Sequence, residues 1–99
     1  MKDLTRTEDI VKELPETEVF FHGIGAILGS AVFSARMEAS LTQKELAEKA
    51  GVDLKTVTRA EGGSGGLEVR MYDKLFRALG ISPREYATLF EKAQQSISE

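Results

Sequence analysis

Leu41 to Glu61, LTQKELAEKAGVDLKTVTRAE, constrains this chain most, because its start and stop signals admit two short helices joined by a tight turn. Thr42 is a favourable N-cap, and Glu45, three residues on, completes a capping box in which side chains and backbone N–H groups pair reciprocally. Leu46, Ala47 and Ala50 then form the buried face of the first helix. Gly51 stops it, since the residue just past a helix end often needs positive φ. Val52 packs into the angle between the helices, and Asp53 offers its carboxylate as the next cap. The second helix, Leu54 to Glu61, turns Val57 and Ala60 inward and leaves Lys55, Thr56, Thr58 and Arg59 outside.

The rest of the chain reads as further helices. From Ile24 to Met37 the apolar positions 24, 27, 28, 32 and 35 fit one helical face. Gly23, Gly25 and Gly29 weaken that helix by about 1 kcal/mol each relative to alanine. Gly62 to Gly66 (GGSGG) reads as a flexible break. Leu67 to Leu79 is amphipathic, with Leu67, Met71, Leu75 and Leu79 in line, Tyr72 and Phe76 beside them, and Gly80 as the stop. Ser82-Pro83-Arg84-Glu85 supplies a cap, a proline at the first position and a glutamate to close a box for the last helix. Tyr86, Leu89, Phe90, Ala93 and Ile97 are its apolar stripe. Near the N-terminus, Thr5-Arg6-Thr7-Glu8 caps a short helix, Arg6 to Leu14, which Pro15 ends. The expectation is an all-α bundle of five helices over 23–99, preceded by an acidic extension, 1–22, with a short helix of its own.

Composition removes several function classes. With 99 residues the chain suits one compact domain. It has no cysteine, so neither a disulfide framework nor a thiolate metal site or nucleophile can form. Its single histidine, His22, stands beside Phe20 and Phe21 and reads as a packed or capping residue. No carboxylate pair, nucleophile or metal cluster stands out, so neither a catalytic residue nor a cofactor or metal is expected, and an enzyme is not. No apolar run approaches the length of a membrane span, and the acidic N-terminus is unlike a signal peptide, so a cytoplasmic protein is expected. Residues 1–22 hold three basic side chains (Lys2, Arg6, Lys12) and six acidic ones. Of the chain's 13 basic and 16 acidic residues this leaves ten of each for 23–99, so the net charge of −3 lies wholly in the extension.

The order of residues along 27–90 resembles the Cro/phage-repressor-like, or Xre-type, helix-turn-helix proteins. The resemblance rests on Leu28, Gly29, Val32 and Arg36, then Leu41-Thr42-Gln43, Glu45-Leu46-Ala47, Gly51-Val52, Val57, Arg59, Glu61 and Gly63, and continues through Leu75 and Ala78-Leu79-Gly80-Ile81-Ser82. It implies a lambda-repressor-like five-helix bundle that binds double-stranded DNA, with the second motif helix in the major groove. By the same resemblance Gln43 contacts a phosphate and braces the recognition helix, with Lys44 assisting. Leu54, Lys55, Thr58 and Arg59 match base-facing positions. Arg59 suits guanine O6 and N7, Leu54 and the Thr58 methyl suit a thymine methyl, and Thr56 donates to a phosphate. Arg36 and Glu61 match a structural ion pair.

Two departures from the family bear on function. Its relatives often place Lys or Arg and a proline where this chain has GGSGG, leaving backbone N–H groups and the Ser64 hydroxyl to meet DNA. No Gly-Lys-Ser/Thr arrangement follows, which argues against a nucleotide site. The domain is also electrically neutral, and phosphate attraction scales with clustered cations, so dimerisation is needed for affinity. Tyr86, Leu89, Phe90 and Ala93 are the candidate dimer surface. The reading reached is a bacterial or phage repressor, a homodimer on a palindromic operator. The alternative is a HigA-like antitoxin that represses its own operon and neutralises a small basic toxin through Asp3 to Phe21. A helix-turn-helix kept only as a protein-interaction module is the third.

Overall fold

The computed structural model describes residues 23–63 and 66–98. They form five α-helices: α1 (Ile24–Glu38), α2 (Gln43–Ala50), α3 (Leu54–Gly62), α4 (Val69–Ala78) and α5 (Tyr86–Ser98). A single 3-10 turn, Pro83–Glu85, leads into α5. The all-α, five-helix arrangement expected from the sequence is the one observed, and among the described residues there is no strand. None of these helices is long and apolar enough to cross a membrane. The short helix expected at Arg6 to Leu14, and Ser64 in the glycine loop, lie outside the described residues.

Local chemistry sets the helix ends. At α2 the Glu45 N–H donates to Thr42 Oγ1 at 3.0 Å and the Thr42 N–H donates to Glu45 Oε1 at 2.8 Å, so the capping box is complete. The bond from the Thr42 backbone N–H to the ionised carboxylate, followed by the nearby Thr42 hydroxyl, holds the Glu45 pKa below its ordinary value. Three helices end alike, on a left-handed residue followed by a 6→1 hydrogen bond. Ser40, Gly51 and Gly80 have φ of 58°, 69° and 76°. After them, Leu41 N–H reaches Arg36 O (3.1 Å), Val52 N–H reaches Ala47 O (3.0 Å) and Ile81 N–H reaches Phe76 O (2.9 Å). Leu41, Val52 and Ile81 are each half-buried, the apolar contact that accompanies this closure.

Two expected side-chain caps are not made. Asp53 precedes α3 without using its carboxylate, and the Thr56 N–H bonds instead to the Asp53 backbone carbonyl at 3.0 Å. Ser82 likewise leaves its hydroxyl unused, because the Glu85 N–H goes to the Ser82 carbonyl at 2.9 Å. That tight bond makes the chain enter α5 through a 3-10 turn rather than a capping box.

The core is built from Val32, Leu46, Val57, Leu75 and Phe76, all fully buried, with Ala31, Ala47, Ala60, Tyr72 and Ala93 around them. α1 lies against both α3 and α5, whereas α2 lies against α3 and α4. With two neighbours α1 needs more than one apolar stripe, and Gly29, Ala31 and Arg36 are buried along with Val32 and Ala35. Ile24, expected on the inner face, is instead 76% exposed. Gly29 has a packing role beyond its propensity cost. A Cβ there would stand 2.6 Å from the Ala60 carbonyl oxygen and 3.1 Å from that of Glu61, so only glycine lets α1 and α3 approach this closely. An aromatic trio joins α4 to α5: the Phe76 ring lies 5.4 Å from Tyr86 and 6.1 Å from Phe90, and the last two are 5.6 Å apart.

Candidate nucleic-acid interface

A polar cluster orients α3. Arg36 Nε and Nη2 donate to the two carboxylate oxygens of Glu61 at 2.6 and 2.9 Å, and Arg36 Nη1 donates to the Leu41 carbonyl at 2.9 Å. Gln43 Nε2 donates to Glu61 Oε1 at 3.0 Å. One carboxylate therefore ties the C-terminal end of α3 to α1 and to the start of α2. The pair's side chains are only 11% and 7% exposed, so the charges need each other. The hydrogen bond to Glu61 raises the Arg36 pKa, against the smaller opposing effect of burial, and keeps the guanidinium charged. The Phe33 ring covers it from the outside, 5.4 Å from the Arg36 guanidinium carbon.

Held this way, α3 buries Val57 and Ala60 and turns its other face outward. Lys55, Thr58 and Arg59 are exposed, Leu54 is 48% exposed, and Thr56 is half-buried. Thr58 commits its hydroxyl to the helix, donating to the Leu54 carbonyl at 3.1 Å, which leaves its methyl group for an apolar contact. Lys44 is exposed at the start of α2. Gln43 is half-buried, and its amide nitrogen carries a second hydrogen beyond the one given to Glu61. Among the described residues no carboxylate pairs with Lys44, Lys55 or Arg59.

Arg59 has neighbours that sequence reasoning did not assign to the site. Its Nη2 lies so near Gly66 that a Cβ there would be 3.2 Å away, and Gly66 itself holds φ +79°. Its charge also reaches Tyr72, whose hydroxyl pKa is raised mainly by burial and lowered in part by Arg59. Tyr72 reads from sequence as a core residue, and it is one, at 6% exposure; the amphipathic pattern carries no sign that α4 would bring it beside Arg59. Gly66 reads as part of a flexible break.

The candidate dimer surface is less available than its sequence implies. Ala93 is 3% exposed within the chain and belongs to the core, so it is not open to a partner. Tyr86, Leu89 and Phe90 are half-buried. Leu89 opens onto a groove of about 440 Å³ between α1 and α5, with Ala31, Ala35 and Ala93 also lining it. No group of three or more His, Asp or Glu side chains among the described residues is placed to hold a metal ion.

Comparison with known proteins agrees with this geometry. A family model described as helix-turn-helix matches residues 33–86, more than half of the chain, from the middle of α1 to the first residue of α5. No curated protein and no solved structure matches the chain. The matched region contains α2, the Gly51 turn and α3 together with the helices that hold them, and the chain belongs to the Xre/Cro-like helix-turn-helix family of DNA-binding regulators.

Proposed function

We propose that this chain is a transcriptional repressor that binds a palindromic operator as a homodimer, with α3 in the major groove. The observation that carries the reading is the outer face of α3. It presents Lys55 and Arg59 without carboxylate partners, on a helix fixed to α1 and α2 by the Arg36–Glu61–Gln43 cluster. A planar guanidinium can pair with guanine O6 and N7, and a rigid helix keeps it in the geometry that discrimination needs. Leu54 and the Thr58 methyl offer apolar contact for thymine. Gln43, Lys44 and Thr56 are the phosphate contacts, which set register but not sequence. Because 23–99 carries ten basic and ten acidic residues, one protomer has little long-range attraction for DNA. Pairing two protomers through Tyr86, Leu89 and Phe90 supplies the missing affinity.

The test is titration against the DNA upstream of the chain's own gene, at several salt concentrations, with an unrelated duplex as control. Arg59→Ala is expected to cost about 1–3 kcal/mol on the operator, roughly 5- to 150-fold, and to relax preference at one base pair. A uniform loss on both duplexes would make Arg59 a phosphate contact, and equal weak binding by the unaltered chain would sink the repressor reading.

The acidic segment favours one second reading, an antitoxin that represses its own operon. Residues 1–22 hold the whole net charge of −3, and a small basic toxin would be drawn to them. Co-expression with the neighbouring gene decides this: a basic partner that co-purifies through Asp3 to Phe21 supports it, and none counts against it.

A further inference from the structure

We propose that Gly66 and Tyr72 form a seat that holds the Arg59 guanidinium ready for base readout, which makes both of them specificity-determining positioning residues. The consequence for readout rests on the DNA-binding reading, but the seat belongs to the free protein. An exposed arginine has many rotamers, and fixing one on binding costs affinity unless the protein has already restricted them. Arg59 is exposed, yet the far end of its side chain meets backbone. A Cβ on Gly66 would stand 3.2 Å from Arg59 Nη2, tighter than ordinary contact, so glycine leaves room there that no other residue would. Gly66 is anchored in that place, because the next residue, Leu67, packs against the core and α4 starts at Val69. α4 lies against α3 and brings the Tyr72 phenol near enough for Arg59 to lower its pKa, against the larger effect of burial. The seat restricts the guanidinium without using it. Among the described residues no hydrogen bond or ion pair engages Arg59, so its five N–H donors stay available to a base edge.

Two demands meet at Gly66, and they can be separated. Its φ of +79° strains any L side chain, whereas the approach to Arg59 concerns only a side chain at this place. Gly80 shares the first without the second: its φ is +76°, and a Cβ there would meet nothing within 4 Å. Gly80→Ala is therefore the control for backbone strain.

The first readout needs no DNA: the order parameter of the Arg59 Nε–H bond, from nitrogen relaxation of the full chain. Arg84 is the internal reference, being exposed and likewise without a hydrogen bond or ion pair among the described residues. Arg59 is expected to be the more ordered of the two. Gly66→Ala and Tyr72→Phe should each lower its order towards that of Arg84, and Gly80→Ala should leave it unchanged. An Arg59 as mobile as Arg84 in the unaltered chain overturns the proposal without any variant. So does an Arg59 signal that either seat variant leaves unchanged, or that Gly80→Ala lowers as much as Gly66→Ala. On the operator, each seat variant should weaken binding roughly 2- to 10-fold and relax preference at the base pair that Arg59 reads. Neither should add a further loss to Arg59→Ala, and full additivity with it overturns the role in readout. A chain that binds no duplex at all strikes the repressor reading alone, and the order parameters of the free protein then decide the seat.

Discussion

A guanidinium taken almost wholly out of water must have its charge matched, and Arg36 matches it with both oxygens of Glu61 and one backbone carbonyl. Removing one partner strands the other. Glu61→Leu should therefore cost about 3–5 kcal/mol, while the double variant with Arg36→Met should cost clearly less than the sum of the single ones. Urea denaturation of the four proteins checks this; additive losses would mean that the two charges act independently. Ser40 presents the opposite case. It holds φ 58° with a Cβ that disfavours that region, at a position equivalent to Gly51 and Gly80. Ser40→Gly should stabilise the fold by about 0.5–1 kcal/mol, and a lower melting temperature would refute it. Glu45 adds a pH dependence. Its folded pKa is depressed, so its contribution is present above the unfolded carboxyl value of about 4.3 and is lost as pH falls through the lower folded one. The stability difference between the unaltered chain and Glu45→Ala should shrink on acidification below that value, which thermal unfolding at a series of pH values would read.

At the scale of elements, the crossing of α1 and α3 decides how the recognition helix is presented. Gly29→Ala puts a methyl group 2.6 Å from the Ala60 carbonyl, which is backbone and cannot rotate away. The helices must separate, at about 1–3 kcal/mol, and α3 must tilt. Operator affinity should then fall even at temperatures where circular dichroism reports a folded protein, and an unchanged affinity would show that α3 tolerates the shift. Much of this level was legible in the sequence. The helix ends at Thr42, Gly51 and Gly80 were, because each is decided by hydrogen bonds within a few residues. Asp53 and Ser82 failed as side-chain caps because their own carbonyls reached the same N–H groups first. What periodicity could not supply was which neighbour each face would meet. It placed Ile24 inside and left Ala93 to a partner, whereas α1 and α5 meet each other in a way that exposes the first and buries the second. The frame around Glu61 connects residues 18 and 25 apart, and only resemblance to relatives pointed to the Arg36–Glu61 pair. Arg59, the main candidate for base readout, was legible by the same route, but its setting against Gly66 and Tyr72 was not, since that depends on where α4 comes to rest.

For the whole molecule, charge and symmetry must be considered together. A domain with equal numbers of basic and acidic residues gains little from counterion release, so its DNA complex should depend on salt less steeply than that of a basic domain. Affinity must then come from base contacts made twice, once by each protomer of the proposed dimer, and that imposes a geometric demand. Two α3 helices related by a two-fold axis reach successive major grooves only if their half-sites are about 34 Å apart, one turn of duplex. Inserting about 5 base pairs between half-sites turns one of them to the far side of the helix and should leave only the affinity of a single protomer. Inserting about 10 restores the facing but stretches the separation, so recovery should be partial at most, limited by how far the contact at Tyr86, Leu89 and Phe90 can yield. Phe90→Lys, which sets two cations against each other if α5 meets its copy, should reproduce the 5-base-pair loss on the unaltered operator; because Phe90 also packs on Phe76 and Tyr86 within the chain, retained half-site binding is the control that separates lost pairing from a loosened fold. Titration of the three spacings with both proteins reads all of this, and equal affinity for every spacing would mean that the chain binds DNA one protomer at a time.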